Sequence, residues 1–329
     1  MLVSVCIPVY NMESTIERCI RSALNQTYID YEVIVTDNQS TDRTFELASA
    51  FRDERLRVIR NERNLGAYGN HNRCLEVAKG EWVKFLHGDD ELLPNCLERL
   101  VWAANQCPKH TALLASGAIY CDPDGNRSRT FVPKDLYAMQ SAAPMEFVLE
   151  GNFFGTPTMV MINRRRLLDI GGFDLTMEPA ADGDCWINLR VNYPSAFLPD
   201  HLVVIRDDPT ESIDKRTRFL VRNCRDTFRQ VEKWHGKDAE ATGSAVGRTP
   251  YADWMVRESF RFWDTALIYL LRGKREVLVT LCGELRRHGL LGRSLKFYLL
   301  NRLSGRDASN FRGRQWTESL NNLRVPLSD

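Results

Sequence analysis

The sequence predicts an α/β fold, a mixed but mostly parallel sheet flanked by helices, followed by a helical C-terminal region. Three observations predict it. Over the first hundred residues short apolar runs alternate with helix-period segments, the pattern of βαβ units. Two of those runs, VIVTD at 33–37 and VKFLHGDD at 83–90, end in carboxylates, as strands do where an open α/β sheet binds its ligand. Beyond about residue 210 strand signals vanish and helical spacing dominates.

Strands are expected near 2–8, 32–36, 56–60 and 81–86. Between the first two, Ser14 precedes Thr15, Ile16 and Glu17 in a capping-box spacing, and Ile16, Cys19, Ile20, Ala23 and Leu24 recur at helical intervals, which gives a helix over 14–26. A second helix starts after Thr41 with Asp42 in its first turn, and a third covers 67–79 until Gly80 stops it. Pro94 opens a helix to about 106. Residues 112–121 alternate as a strand, and the turn sequence DPDGN at 122–126 marks a hairpin, so the sheet turns mixed there. Helices follow over 182–192, 211–236, 250–271, 273–288 and 291–304, and the small polar stretch 237–249 reads as a loop. A domain boundary near 209 divides the chain into 1–209 and 210–329.

Bulk composition excludes several classes. Lysine plus arginine, 44, nearly cancels aspartate plus glutamate, 43, so the chain as a whole has no electrostatic reason to seek nucleic acid. Nine cysteines, with no Cys-x-x-Cys pair, describe neither a disulfide framework nor a zinc site and fit a reducing cytosol. The opening LVSVCIPVY reads as a strand, not a leader, and no run reaches the roughly 18 apolar residues that cross a bilayer. A cytoplasmic location is the expectation.

The residues able to carry chemistry lie at strand ends. Asp89 and Asp90 offer the oxygen ligands that magnesium or manganese prefers, and a departing diphosphate needs such an ion; the same acids could instead cap the helix after Pro94. Asp37, at the end of the second strand, can accept a hydrogen bond from a base or a ribose. The first strand ends in IPVYN without a Gly-x-Gly-x-x-Gly turn, which counts against a dinucleotide fold.

Taken in order, SVCIPVYN at 4–11, VIVTDNQSTDRT at 33–44, NLGAYGNHNRCLEVAKGEWVKFLHGDD at 64–90 and LLP at 92–94 resemble the nucleotide-binding half of family 2 glycosyltransferases with the GT-A fold. A looser likeness runs to about 214. The resemblance implies a GT-A domain over 1–209, with 1–94 as the nucleotide-sugar half and 95–209 as the acceptor half, and an inverting transfer of sugar from a nucleotide-diphosphate donor, typically UDP-linked, to an acceptor hydroxyl. It implies that Pro8, Tyr10, Asn11, Asp37, Asn64 and Gly66 surround the nucleotide and that Asp89, with Asp90 beside it, ligates Mn2+ or Mg2+.

Within residues 1–94 three positions depart from the family pattern, and further on Ala181 replaces the glutamate that precedes the expected base. His87 takes the first acid of Asp-x-Asp, where it can meet the ribose hydroxyl or the metal; His71 replaces the arginine of an Arg-Asn pair; Asn38 replaces the second acid of Asp-Asp. Downstream, GGFD at 171–174 and ADGDCW at 181–186 match the acceptor-side landmark, which makes Asp182 the expected catalytic base and Asp184 its competitor. Asp208 falls where the family often has a histidine that adds a metal or phosphate contact.

The implied partners are a nucleotide-sugar donor and a glycan or lipid-linked acceptor, in the synthesis of surface polysaccharide, lipopolysaccharide or another glycan. Between 267 and 306 arginines and lysines outnumber Glu276 and Glu284, so the tail can lie peripherally on an anionic membrane, or pack on the transferase domain or on a second copy in a homo-oligomer. The competing functions are a nucleotidyltransferase and a catalytically inactive nucleotide-sugar-binding protein.

Overall fold

The computed structural model describes residues 1–122, 126–130, 132–133, 135–141, 154–206, 213–242, 265–303 and 324–325, with positions 256, 259, 262 and 263. Its first four strands are β1 (Val3–Val9), β2 (Tyr31–Asp37), β3 (Leu56–Arg60) and β4 (Trp82–Phe85), connected through α1 (Ile16–Leu24), α2 (Thr44–Ser49) and α3 (Ala67–Val77). β1 lies between β2 and β4, parallel to both, and β3 is parallel to β2. Helical crossovers cover both faces of such a sheet, which is why its strands read as unbroken apolar runs. Val3, Val5, Ile7 and Val9 enter one core cluster with Ile16, Cys19 and Ile20, while Cys6 enters the other with Cys74 and Leu75.

After β4 the strand directions mix. The elements in order are β5 (Glu91–Leu92), α4 (Cys96–Gln106), β6 (Leu113–Cys121), β7 (Arg127–Arg129), β8 (Tyr137–Met139), β9 (Val160–Asn163), α5 (Arg164–Asp169), α6 (Ala181–Asn192) and β10 (Ser195–Arg206). β9 is antiparallel to β4 and to β6 and so joins the two halves of the sheet. β10 runs parallel to β6, and β11 (Arg324–Val325) closes the path β11-β8-β10-β6-β9-β4-β1-β2-β3. The hairpin expected after residue 121 is the antiparallel pair β6–β7, where the Asp122 carboxylate accepts the Asn126 amide hydrogen at 2.8 Å.

Several boundaries differ from the sequence expectation. α1 begins at Ile16, and no side chain caps it: the Thr15 hydroxyl donates back to the Met12 carbonyl at 3.4 Å, so the Ser14–Glu17 spacing does not form a capping box. α2 begins at Thr44, and Asp42 stands ahead of it, accepting the Thr44 amide hydrogen at 2.9 Å. The stretch 237–249 is not a loop at its start, because 237–242 continue α7 (Ile213–Thr242). Alanine, glutamate and lysine there outweigh the cost of about 1 kcal/mol at Gly236. The remainder, 243–249, and residues 250–255 of the next expected helix lie outside the described residues. β9 and β10 carried no readable signal: β9 is four residues long, and the pairing of β10 slips between Phe197 and His201, where Pro199 interrupts it.

The C-terminal residues 265–271, α8 (Glu276–Arg287) and α9 (Leu291–Leu303) are helical, as expected. Cys224, Phe228, Val231 and Trp234 of α7 pack with Leu281 and Leu285 of α8 in a third cluster, into which α6 contributes Ile187. A polar latch reinforces this junction. Asp184, 2% exposed, accepts from Lys233 Nζ at 2.6 Å and from Trp234 Nε1 at 2.8 Å, and Lys233 also donates to Asp174 at 3.0 Å. All nine cysteines are free, and no helix among the described residues is long and apolar enough to cross a membrane.

Breaking a buried pair strands the partner's charge, so Asp184→Ala should lower stability by about 3 kcal/mol in urea denaturation. Asp184→Asn, which keeps an acceptor for Trp234, should cost less. A loss in Asp184→Ala no greater than an ordinary surface substitution contradicts the latch.

Candidate active site

Because β1, β2 and β4 run in one direction, the segments that follow them leave the sheet at one edge. The loops after β1 and β2 are tied to each other there. Asn11, held at φ 54°, accepts the Thr41 amide hydrogen at 2.8 Å, and its own N–H donates to Ser40 Oγ at 3.0 Å. Asparagine tolerates this left-handed backbone better than most residues. Pro8 is half-buried within β1, and Tyr10 leaves the strand 43% exposed. Asp37 is fully buried; both its oxygens accept from the Ser40 amide, at 3.3 and 3.2 Å, and Oδ2 lies 3.2 Å from Arg60 Nε.

Asn38 uses both ends of its amide. It donates to Asn64 Oδ1 and to the Gly66 carbonyl, each at 3.0 Å, and accepts from Leu65 N at 2.8 Å and Asn61 Nδ2 at 3.1 Å. A carboxylate could not make the two donations, so the departure at this position is fitted to its surroundings. Gly66, at φ 78°, precedes α3, and the Glu178 carboxylate approaches the first turn, accepting from Ala67 N at 3.4 Å.

At the end of β4, ligand atoms of His87, Asp89 and Asp90 lie within 4.8 Å of one another. Asp90 is 3% exposed; Oδ2 accepts from Thr158 Oγ1 at 2.6 Å and Oδ1 from the Arg206 amide at 3.3 Å. Burial, and next the charge of Asp89, push its carboxyl up to about 7. Lys84, buried beneath, donates to the carbonyls of Phe85 and Thr158, and burial pulls its ammonium down to about 8. Two adjacent acids with one driven toward neutrality form a site short of positive charge, and two carboxylates with an imidazole make a donor set that suits a divalent cation.

Behind the cluster sits His71, 5% exposed, between the rings of Tyr68, Phe85 and Phe173. Its Nδ1 is 2.9 Å from the Ala67 carbonyl and its Nε2 3.3 Å from Nε2 of His87. Burial first, then His87, pull the His71 imidazole down to about 3.

The acceptor-side acids part company. Asp182, half-buried in the first turn of α6, accepts from Gly183 N at 2.7 Å. Tyr68 lies against it: burial raises the Tyr68 phenol most, and the charge of Asp182 next. The Tyr68 ring is 5.1 Å from His71, whose ring is 5.4 Å from His87, so a line of contacts runs from Asp182 to the carboxylate cluster. Asp184, two residues on, points instead to Lys233 and Trp234. Asp208 lies outside the described residues.

Four contributors escaped the sequence reading. Tyr68 and Asn72 stand inside a quoted motif but gave no sign of their partners. Asn72 grips Phe173, accepting from its amide at 2.9 Å and donating to its carbonyl at 3.0 Å. Gly172 permits this approach: at φ 77°, a Cβ there would lie 2.6 Å from Asn72 Oδ1. Thr158 and Lys84 carry no local signal, since both matter through contact with Asp90 or Thr158 across the sheet. Beside Glu178, a hollow of about 320 Å3 is lined by Arg222, Arg225, Asp226 and Arg229, and it adjoins one of about 420 Å3 reached by Arg225, Arg229, Glu284 and Arg287.

Comparison with known proteins gives the family and the fold. The model of the family described as Glycosyl transferase family 2 matches residues 4–171. An uncharacterised protein of Mycobacterium tuberculosis is 36% identical over 214 residues, 62% of this chain and 67% of that protein. The GalNAc(5)-diNAcBac-PP-undecaprenol beta-1,3-glucosyltransferase of Campylobacter jejuni is 31% identical over 193 residues, so the match spans 56% of this chain and 59% of that enzyme. Among solved structures, S. aureus TarS 1-349 in complex with UDP-GlcNAc superposes with a TM-score of 0.53 at 17% identity, covering 88% of this chain and 92% of that one, a likeness of fold.

The raised Asp90 carboxyl binds its proton more tightly in the folded chain than in the unfolded one. Its stabilising contribution is therefore full below the ordinary carboxylate range and is lost as pH rises through about 7. In EDTA, thermal melts should show Asp90→Asn gaining on the wild type between about pH 5 and about pH 8. A difference that stays constant across that window would mean the carboxyl is ionised throughout.

Proposed function

The chain belongs to glycosyl transferase family 2, and on that premise we propose that it transfers a glycosyl group, with inversion, from a UDP-sugar to a hydroxyl of a lipid-diphosphate-linked glycan. The observation that carries this reading is the position of Asp182, set against Tyr68 and joined through His71 to the His87–Asp89–Asp90 cluster. In this reading Asp182 serves as the base, and Asp184, both oxygens occupied by the latch, does not.

In this mechanism the Tyr10 ring and Pro8 flank the nucleobase, and Asp37, which has lone pairs to spare beyond Ser40 and Arg60, accepts from the base. Asn11, Asn64 and Gly66 shape the walls on either side. Asp89, with Asp90 beside it, holds a divalent cation, Mn2+ or Mg2+; when bound, that ion neutralises charge on the departing diphosphate. Asp182 takes the acceptor hydroxyl's proton as the oxygen attacks the anomeric carbon from the face opposite the diphosphate. The new C–O bond forms as the bond to the phosphate oxygen breaks, and the configuration inverts.

On the acceptor side, the arginines of the two hollows suit phosphate oxygens, and they lie next to Glu178 at the mouth of the site. A diphosphate-linked acceptor also places the enzyme at a membrane. Leu271 at 88% exposure and Val279 at 63% belong to a segment that also carries Arg272, Arg275 and Arg286, a composition able to rest on anionic lipid. The Campylobacter relative, whose name includes a PP-undecaprenol acceptor, supports the same substrate class. Surface-glycan assembly is the process that such a reaction serves.

Asp182→Asn should cut kcat about a thousandfold while UDP binding stays within a few-fold of wild type, and Asp89→Ala should lose both turnover and Mn2+-dependent UDP binding. Both are read by sugar transfer and calorimetry with a diphosphate-lipid acceptor; full turnover in either sinks the assignment of that residue. Arg225→Glu with Arg229→Glu should raise the acceptor KM about tenfold and leave the donor KM unchanged, and an unchanged acceptor KM removes the hollows from the acceptor site.

A further inference from the structure

The first turn of α6 is a weak start for a helix. It reads Ala181-Asp182-Gly183-Asp184, no side chain caps it from Ala180, and glycine is among the poorest helix formers. A first turn leaves backbone N–H groups without partners inside the helix, and without a cap it tends to fray. On its apolar side this turn is packed through Ala181 and Cys185. On its polar side it is held through Asp184, whose two oxygens accept from Lys233 Nζ at 2.6 Å and from Trp234 Nε1 at 2.8 Å.

Lys233 reaches further. The same Nζ donates to Asp174 at 3.0 Å, so one ammonium joins the two ends of the segment from Asp174 to Asp184. Asp174 in turn holds the start of that segment, accepting from the Thr176 amide at 3.0 Å and from its hydroxyl at 2.7 Å. Between the ends, Glu178 lies 3.8 Å from Arg222, which sits roughly three helical turns before Lys233 and so shares its face of α7. One face of a helix from the C-terminal region thus meets the segment that carries Asp182 at both ends and in the middle.

We propose that Lys233 is a positioning residue for the transfer: by closing the segment from Asp174 to Asp184 it holds the first turn of α6, and with it the Asp182 carboxylate, in one place. The C-terminal helices then belong to the machinery of the reaction. The inference rests on the reading of Asp182 as the base. A proton acceptor on a fraying turn spends part of its time away from the attacking oxygen, and a displacement of about 1 Å can cost roughly a hundredfold in rate. An ammonium suits the task, since three hydrogens on one nitrogen can serve two carboxylates at once.

The test uses the full chain with Mn2+ and a diphosphate-lipid acceptor, and reads the UDP released from UDP-glucose and from UDP-N-acetylglucosamine. Lys233→Met should lower kcat about thirtyfold and leave the donor KM within about twofold, and Lys233→Arg, which can serve both carboxylates, should recover most of the loss. In Lys233→Met combined with Asp182→Asn the losses should not multiply, because a residue that acts through Asp182 has no further effect once that carboxylate is gone; a merely structural loss would multiply. Hydrogen exchange, which no choice of donor affects, should quicken about tenfold in peptides over 178–188 of Lys233→Met and stay unchanged over β1–β4. Since Lys233→Met strands the buried Asp184 charge, Asp174→Ser is the second variant: it keeps a cap for Thr176, leaves the Asp184–Lys233 pair intact, and should lower kcat about fivefold. A kcat within about twofold of wild type in every variant that folds, losses that multiply, or unchanged exchange over 178–188 overturns the proposal and leaves the base reading standing. Full turnover in Asp182→Asn alone brings down the base reading itself.

Discussion

The pairing of β1 with β2 on one side and β4 on the other, parallel in both cases, brings three chain segments out of the sheet at the same edge. Each segment must then turn without the help of sheet hydrogen bonds, and here side-chain amides supply the missing partners. Asn70 donates to the Thr36 carbonyl at 2.8 Å and accepts from Asn61, which in turn meets Asn38. A carboxylamide has donors and an acceptor on one small frame, so it can satisfy backbone on both sides of a gap. The chain leaving this edge is thus fixed by a lattice of asparagines buried against the sheet.

The later part of the sheet and its helices are aligned to this edge by contacts that span great lengths of sequence. Asn72 holds Phe173, Thr158 holds Asp90, and Glu178 meets both the first turn of α3 and, at 3.8 Å, Arg222. These bonds fix residues 158–178 against the end of β4 and the start of α3 before any ligand arrives. Reaction geometry that is set in advance saves the ordering cost at the moment of reaction. Asp184, two residues from Asp182 on α6, anchors α7.

The first ninety residues were legible in the sequence because their determinants are local. A short unbroken apolar run followed by a helix recurs within some thirty residues, and each such unit folds against its own neighbours. What stayed hidden was set by contact between distant residues. The partner of Asp184 is 49 residues away and that of Asn72 is 101 residues away, and neither distance leaves a period in the chain. β10 was invisible for a different reason, since Pro199 and a slipped register erase its alternation. The choice between Asp182 and Asp184 illustrates the limit well: both are acids in one helical turn, and what distinguishes them is a lysine and a tryptophan that spacing cannot announce.

Lys84 gives the cluster one further property. Its ammonium is part of β4 itself, delivered beneath Asp90 by the same strand that delivers the acids above. A covalently tethered counter-ion offsets part of the repulsion between the acids at the dry end of this strand, even before anything diffuses in. The polypeptide can therefore reach its final shape first and acquire its dissolved ion afterwards, which separates the assembly of the scaffold from the loading of the site.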